Sequence, residues 1–368
     1  MRVVYDLRYA TDHFPGIGTH AFALASELLA RGRLSEITFV WNPWAQNTRF
    51  DLGPLRSADC VRWLDIDVPA MSASTAHRTG QLLTRLAPDL YLSPFWLRPE
   101  GTRVPCVLTL HDVIPLALKD GTNVARRWAY GWAMLRTSGA AAVLTSSRFS
   151  RDEILRLTRI HADRLHVVPL GVLPAGERMR RPANAPDGPF ALTVGANRSH
   201  KGLDTLAAVW RDFDGAGRLE LVGAGANAPE RFSLVDAARE VRGIRALGQV
   251  APEELEWLYR NATLVLVPSC YEGFGLPLLE AATRGTPIIA SDIPALRETG
   301  EGVARFVAAR DTGAWARAIR DLVGDAAARD RMRMAGFARS AEYSYAICAE
   351  RVEALVSRLL PLAPRVPE

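Results

Sequence analysis

At 368 residues the chain is longer than the ~250 to 300 at which one hydrophobic core stops growing, so two domains are expected. A composition of 48% hydrophobic and 23% charged residues excludes a disordered chain, and the four cysteines, Cys60, Cys106, Cys270 and Cys348, are too scattered for a zinc site or a disulfide framework. The net charge of +5 suits an anionic substrate or an anionic membrane surface; with no basic and aromatic binding module, nucleic acid is not an expected partner.

The start, Met1-Arg-Val-Val-Tyr-Asp6, runs straight into a strand without an apolar signal core, and no apolar run reaches the ~18 residues of a membrane span. A cytoplasmic location is therefore expected. Strand and helix patterns alternate along the chain, which predicts an α/β protein with parallel sheets. Arg2 to Leu7 reads as the first strand, a loop ending in Pro15-Gly-Ile-Gly18 follows, and Thr19 to Ala30 reads as a helix with Phe22, Leu24, Leu28 and Leu29 on its apolar face. Further strands are predicted at Ile37 to Trp41, Leu90 to Ser93, Cys106 to Leu110 and Ala142 to Thr145, and Val167 to Val172 closes the series. A second series runs through Phe190 to Val194, Leu219 to Val222, Ile244 to Leu247, Leu264 to Val267 and Pro287 to Ala290. Two doubly wound, Rossmann-like domains facing across a cleft are expected, at residues 1–175 and 190–343 around a linker at 176–189, with a closing helix at 344–368 packing back on the first domain.

The stretch Cys270-Tyr-Glu-Gly-Phe-Gly-Leu-Pro-Leu-Leu-Glu280 links a strand buried on both faces to a helix with Pro277 in its first turn and Gly285 at its end. Ligands of such folds bind outside the carboxyl ends of the strands. Gly273 and Gly275 allow backbone conformations closed to other residues and leave amides open to a ligand, beside the positive end of the helix. Glu272 in the loop and Glu280 one turn into the helix offer two acceptors to a polyol; a solvated loop Glu and an ordinary first-turn Glu would leave the same pattern.

The loop Gly195-Ala-Asn-Arg-Ser-His-Lys-Gly202 places Arg198 and Lys201 near a helix start, where a forked donor and a point charge can converge on a diphosphate. Lysine is rare here: Lys119 and Lys201 are the two in the chain. His111 directly follows a strand and could serve as a hydrogen-bond partner or proton relay, or simply bond a neighbouring carbonyl. His13, His20, His77, His161, His166 and His200 form no metal-ligand cluster, so no metal is expected. The Asp-x-Asp pairs Asp65/Asp67 and Asp212/Asp214 read as surface residues. Gly16-Ile-Gly18 with Ala21, and Gly223 to Ala228, partly match a dinucleotide fingerprint, with Glu36 as the acidic residue that an NAD-dependent oxidoreductase would want.

Taken together, Gly16-Ile-Gly18, His111-Asp112, Thr145 to Ser150, Val167 to Gly171, Gly195 to Gly202, Leu247-Gly248, Glu272 to Glu280 and Gly285-Thr-Pro287 resemble glycosyltransferase family 4, retaining enzymes of the GT-B fold. The resemblance implies that Arg198 and Lys201 bind the donor diphosphate. It implies that Glu280 takes the ribose hydroxyls, and that Glu272, with the amides of Gly273, Phe274 and Gly275 and the adjacent Leu276, holds the transferred sugar. Gly18 would offer its amide to the diphosphate and His111 would contact the sugar. The cofactor-free donor implied is a nucleotide sugar, best a GDP-linked mannose or related deoxysugar of bacterial surface polysaccharide synthesis, with a UDP-sugar as the alternative. The acceptor implied is a glycan or lipid-linked glycan at the inner membrane, which Arg78 to Arg103 and Arg126 to Arg136 could contact. A non-catalytic nucleotide-sugar-binding regulator would share these residues.

Overall fold

The computed structural model describes residues 1–72, 74–118, 124–212, 219–225 and 234–360. Lys119, Asp214, residues 226–228 of the second glycine pattern and the side chains of Arg126 and Arg127 lie outside that description. The chain forms two compact units, one of Met1–Gly171 with Tyr345–Glu368 and one of Val172–Ser344.

Runs of β-branched and apolar residues with no alternation become strands covered on both faces. The strands of the first unit are β1 (Arg2–Asp6), β2 (Glu36–Trp41), β3 (Val61–Asp65), β4 (Leu90–Ser93), β5 (Cys106–Thr109), β6 (Ala142–Thr145) and β7 (Leu165–Val167), all parallel in the order β3-β2-β1-β4-β5-β6-β7, with the fully covered ones at its centre. The second unit repeats the plan with β8 (Phe190–Val194), β9 (Glu220–Ala224), β10 (Ile244–Gly248), β11 (Leu264–Val267), β12 (Ile288–Ser291) and β13 (Ala304–Val307), in the order β10-β9-β8-β11-β12-β13. Both sheets are doubly wound. Strand order reverses between β1 and β4 in one and between β8 and β11 in the other, and such switch points open a crevice at the carboxyl ends of the strands.

One face of the first sheet is covered by the helices Pro15–Ala30 and Tyr345–Leu359. Ala21, Leu24, Ala25 and Leu28 share a core with Cys348, Ala349, Val352 and Val356, and Arg31 donates to the buried Glu353 at 2.7 Å. The last helix is thereby part of the first unit although it follows the second in the chain.

The first helix begins at Pro15, four residues before the predicted start. Proline is suited to a first helical position because its ring presets φ and its missing N–H has no partner there to lose. The Gly16-Ile-Gly18 segment is consequently helical, and the Gly18 amide donates to the Phe14 carbonyl at 2.6 Å instead of standing open to a ligand. Gly18 is required for another reason: a Cβ there would meet the Tyr9 carbonyl oxygen at 2.9 Å and that of Thr11 at 3.1 Å. A helical Gly16-Ile-Gly18 cannot make the tight dinucleotide-binding turn. Glu36 opens β2 at the amino end of the sheet and faces Arg62 at 3.0 Å, so it is not the ribose-binding acid of an NAD site.

Asp6, at the end of β1, anchors the loop that leads into this helix. Its carboxylate accepts from Arg8 Nε at 2.8 Å, from Arg8 Nη2 at 2.6 Å and from the Tyr91 hydroxyl at 2.6 Å, and Arg8 also reaches Thr79 at 3.0 Å. Both charged side chains are 1% exposed. Removing one partner of such a pair leaves the other buried and uncompensated, so Arg8→Ala should cost ~3 to 5 kcal/mol, read from the urea midpoint. Tyr91→Phe, which removes only a neutral donor to the carboxylate, should cost less, roughly 1.5 to 3 kcal/mol.

Candidate functional site

The second unit builds its site at the reversal between β8 and β11. The loop after β8 carries Arg198 and Lys201 and passes through a single turn of 3-10 helix, Ser199–Lys201, to Gly202, where the helix Leu203–Arg211 begins. The loop after β11 carries Ser269, Glu272, Gly273, Phe274 and Gly275 into the helix Leu276–Thr283, whose first residue is Leu276 and which contains Glu280. The two loops are joined by their main chains, since the Cys270 N–H donates to the His200 carbonyl at 2.7 Å. Gly202 makes that approach possible. It adopts φ +65°, and a Cβ there would lie 2.1 Å from the Pro268 carbonyl oxygen.

Side chains complete the connection. Lys201 Nζ lies 2.6 Å from Glu272 Oε1, and the Ser269 hydroxyl donates to that same oxygen at 2.6 Å. Glu272 is 7% exposed. Burial by itself would raise its pKa, but the Lys201 ammonium and the hydrogen bonds from Lys201 and Ser269 outweigh that and hold it below the ordinary carboxylate range. Glu272 is thus a buried, ionised carboxylate, not a solvated loop residue. Arg198 stands exposed at the mouth of the same loop.

Of the two glycines expected to need special backbone, Gly275 does, with φ +109°, whereas Gly273 is not among the residues with positive φ. Phe274 is packed rather than open: its ring meets Tyr343 edge-on and its carbonyl accepts from Thr299 at 3.2 Å. Glu280 is not joined to the Lys201 cluster. Its Oε2 accepts a 2.6 Å hydrogen bond from Tyr259.

In the first unit His111 follows β5, and its Nε2 donates to the Pro94 carbonyl at 3.1 Å, beyond the end of β4. That bond fixes the tautomer and leaves Nδ1 as a buried acceptor with no partner among the described residues. The His20 ring stands perpendicular to it at 5.3 Å, with both of its own nitrogens buried and without a hydrogen-bond partner among the described residues. Burial pushes the His111 pKa down to about 4, and burial together with His111 pushes that of His20 well down. Near neutral pH both rings are uncharged, so His111 can hydrogen-bond but is poorly matched to proton relay, which needs a pKa near the working pH.

Three participants escaped sequence reasoning: Ser269, Tyr259 and His20. Ser269 had a usable signal, since it lies just past the carboxyl end of β11. His20 occupies the buried stripe of its helix, four residues before Leu24 and eight before Leu28, the spacing at which an apolar residue is expected. Nothing in the helix Pro252–Asn261 marks Tyr259 as a partner of Glu280.

Unfolded histidines titrate near 6.5, above the folded value of about 4 for His111. Between those values the unfolded chain binds more protons, so the histidine pair contributes a loss of stability as pH falls through that window and none above it. Thermal midpoints measured from pH 7.5 to 4 should show this acid-side decline, and His20→Leu should shallow it. An unchanged slope would mean that His20 is charged or exposed in the folded protein.

The comparisons with known proteins bear on the family and the fold. The model of Glycosyltransferase Family 4 matches residues 15–175, and that of Glycosyl transferases group 1 matches residues 176–339. A D-inositol 3-phosphate glycosyltransferase of Nocardia farcinica is 31% identical over 285 residues, 69% of this chain and 61% of that protein. The O-antigen chain mannosyltransferase B of Escherichia coli is 30% identical over 226 residues, 57% of this chain and 58% of that one. The chain thus spans about three fifths of the length of these two curated relatives. Among solved structures, sucrose-phosphate synthase from Thermosynechococcus elongatus superposes with a TM-score of 0.74 at 19% identity, covering 99% of this chain and 100% of that one. Anabaena HepE in complex with UDP-glucose gives 0.72 at 14% identity, covering 97% and 100%. Two doubly wound domains of this kind are the GT-B fold. The chain belongs to glycosyltransferase family 4.

Proposed function

We propose that the protein transfers a hexosyl group from a nucleotide sugar to a glycan acceptor, with retention of configuration and without a metal ion. The observation that carries this reading is the Lys201–Glu272 pair at the β8/β11 switch point, a part-exposed cation on a buried carboxylate, held where a ligand of this fold binds. Lys201 and Arg198 are assigned to the donor diphosphate, together with the amino end of the helix Leu276–Thr283. Glu272 and the Gly273–Gly275 backbone are assigned to the transferred sugar, and Glu280 to the ribose. Of the first-unit residues, His111 is assigned only as a neutral hydrogen-bonding group. Gly18 is given no role toward the donor, because its amide is already bonded within the helix.

The chemistry needs charge stabilisation above all. As the bond from the anomeric carbon to the phosphate oxygen breaks, negative charge grows on the leaving diphosphate, and preplaced cations neutralise it without reorganising. The acceptor hydroxyl attacks the same face as its new bond to the anomeric carbon forms, and its proton passes to the departing phosphate oxygen. No protein carboxylate is needed as nucleophile. The O-antigen mannosyltransferase among the relatives supports a mannose-type donor, with GDP as the carrier nucleotide proposed; the UDP-glucose complex of HepE supports UDP as the second choice. A glycan or lipid-linked acceptor of surface polysaccharide synthesis fits the same relative. Peripheral contact with anionic lipid on the cytoplasmic face is part of this reading, supported by the exposed Trp132 and Leu135 beside Arg136 on the helix Val124–Thr137.

A thermal-unfolding panel with GDP, UDP, ADP and NAD checks the donor. A nucleoside diphosphate at 100 times its dissociation constant should stabilise the fold by about 2.7 kcal/mol, while a shift with NAD alone would overturn the assignment. Glu272→Gln should lower turnover about 100-fold and change nucleotide affinity less than about threefold, whereas Lys201→Ala should weaken nucleotide binding about tenfold or more. Equal losses of turnover and affinity in both variants would count against the division of roles.

A further inference from the structure

The bond from Tyr259 to Glu280 is held in place by its surroundings. Tyr259 lies on the helix Pro252–Asn261, is 2% exposed, and donates its hydroxyl to Glu280 Oε2 at 2.6 Å. It is restrained on two further sides. Its backbone carbonyl accepts from the Thr286 hydroxyl at 2.6 Å, and the Arg284 guanidinium lies 5.6 Å from its ring centroid. Arg284 is fixed in turn, with Nε 3.0 Å from Glu256 Oε2 and further bonds to the carbonyls of Leu173 and Pro174. Glu256 takes a second cation, Arg260, at 2.6 Å.

Glu280 is the fifth residue of its helix, past the first turn where a carboxylate would serve the helix dipole, so these restraints call for another reason. Burial first, and the Glu280 charge second, push the Tyr259 hydroxyl well above its ordinary pKa, so it stays protonated and remains a donor. With Oε2 engaged, Glu280 Oε1 accepts no hydrogen bond among the described residues. The carboxylate is therefore aimed, with one oxygen fixed by the protein and the other left for a ligand. Charge-assisted hydrogen bonds depend on that geometry, and an acceptor already oriented gives up less freedom on binding.

We propose that Tyr259 is a positioning residue that orients the Glu280 carboxylate toward a ribose diol and thereby sets the preference for ribonucleotides over 2′-deoxyribonucleotides. This rests on the assignment of Glu280 to the ribose, and the experiment separates the two claims. Affinities of the full chain for GDP, UDP and their 2′-deoxy forms are measured by calorimetry in wild type and in Tyr259→Phe. The wild type should prefer the ribonucleotide about tenfold, and in Tyr259→Phe the ribonucleotide should lose about five- to tenfold while the 2′-deoxy form changes less than about twofold, so that the preference collapses. If both affinities fall together and the ratio survives, Tyr259 is only a packing residue and the proposal fails. If the wild type shows no preference, the ribose assignment fails first and takes the proposal with it. Thr286→Val removes the support of Tyr259 without touching Glu280 and supplies a second reading should Tyr259→Phe not fold: a lowered ratio supports the proposal and a wild-type ratio overturns it.

Discussion

The ion pair between Lys201 and Glu272 is the constraint on which the second domain's site depends. A carboxylate taken out of water is costly unless it is paired and hydrogen-bonded. Glu272 has a cation and a hydroxyl on one oxygen, and those donors come from two loops that are far apart in sequence and adjacent only because β8 and β11 are neighbours at the reversal of strand order. Gly202 lets the loops touch, and the His200 carbonyl bonded to Cys270 holds them in register. Topology, backbone conformation and charge all converge on one oxygen atom.

The pair also suits the proposed chemistry. A diphosphate entering beside Glu272 would meet a Lys201 ammonium that is oriented in advance. The first domain uses the same architectural position differently. There Asp6 and Arg8 are fully buried and saturated by Tyr91 and Thr79, so they fix the loop after β1 and have no capacity left for a ligand. His111 and His20 are kept neutral by burial. In the described switch-point cluster of the second domain the cation is part-exposed, whereas in the first both paired charges are fully buried.

Sequence alone predicted the central strands nearly residue for residue, because β4, β6, β8 and β11 are covered on both faces and their apolar runs leave little else to be read. It missed β3 and β13, which lie at sheet edges, where residues such as Arg62, Asp65 and Arg305 sit among the apolar ones and dilute the pattern. The start of the first helix was misplaced because glycines at 16 and 18 read as a turn, whereas proline at its start and tight packing against Tyr9 and Thr11 make them helical. In the site, Glu272, Glu280, Arg198 and Lys201 were legible from glycine-rich loops following strands. The pairing of Lys201 with Glu272 was not, since sequence spacing carries no information about which loops become neighbours. Tyr259 was invisible for the same reason, and His20 was hidden by a helical stripe that normally holds apolar side chains.

The most direct test of the account is an experimental structure of the protein with GDP or UDP bound. The diphosphate should lie at the β8/β11 switch point, with a phosphate oxygen within hydrogen-bond distance of Lys201 Nζ and of the Arg198 guanidinium, and the ribose on Glu280. A nucleotide bound elsewhere, or bound there with its diphosphate away from Lys201, would contradict it.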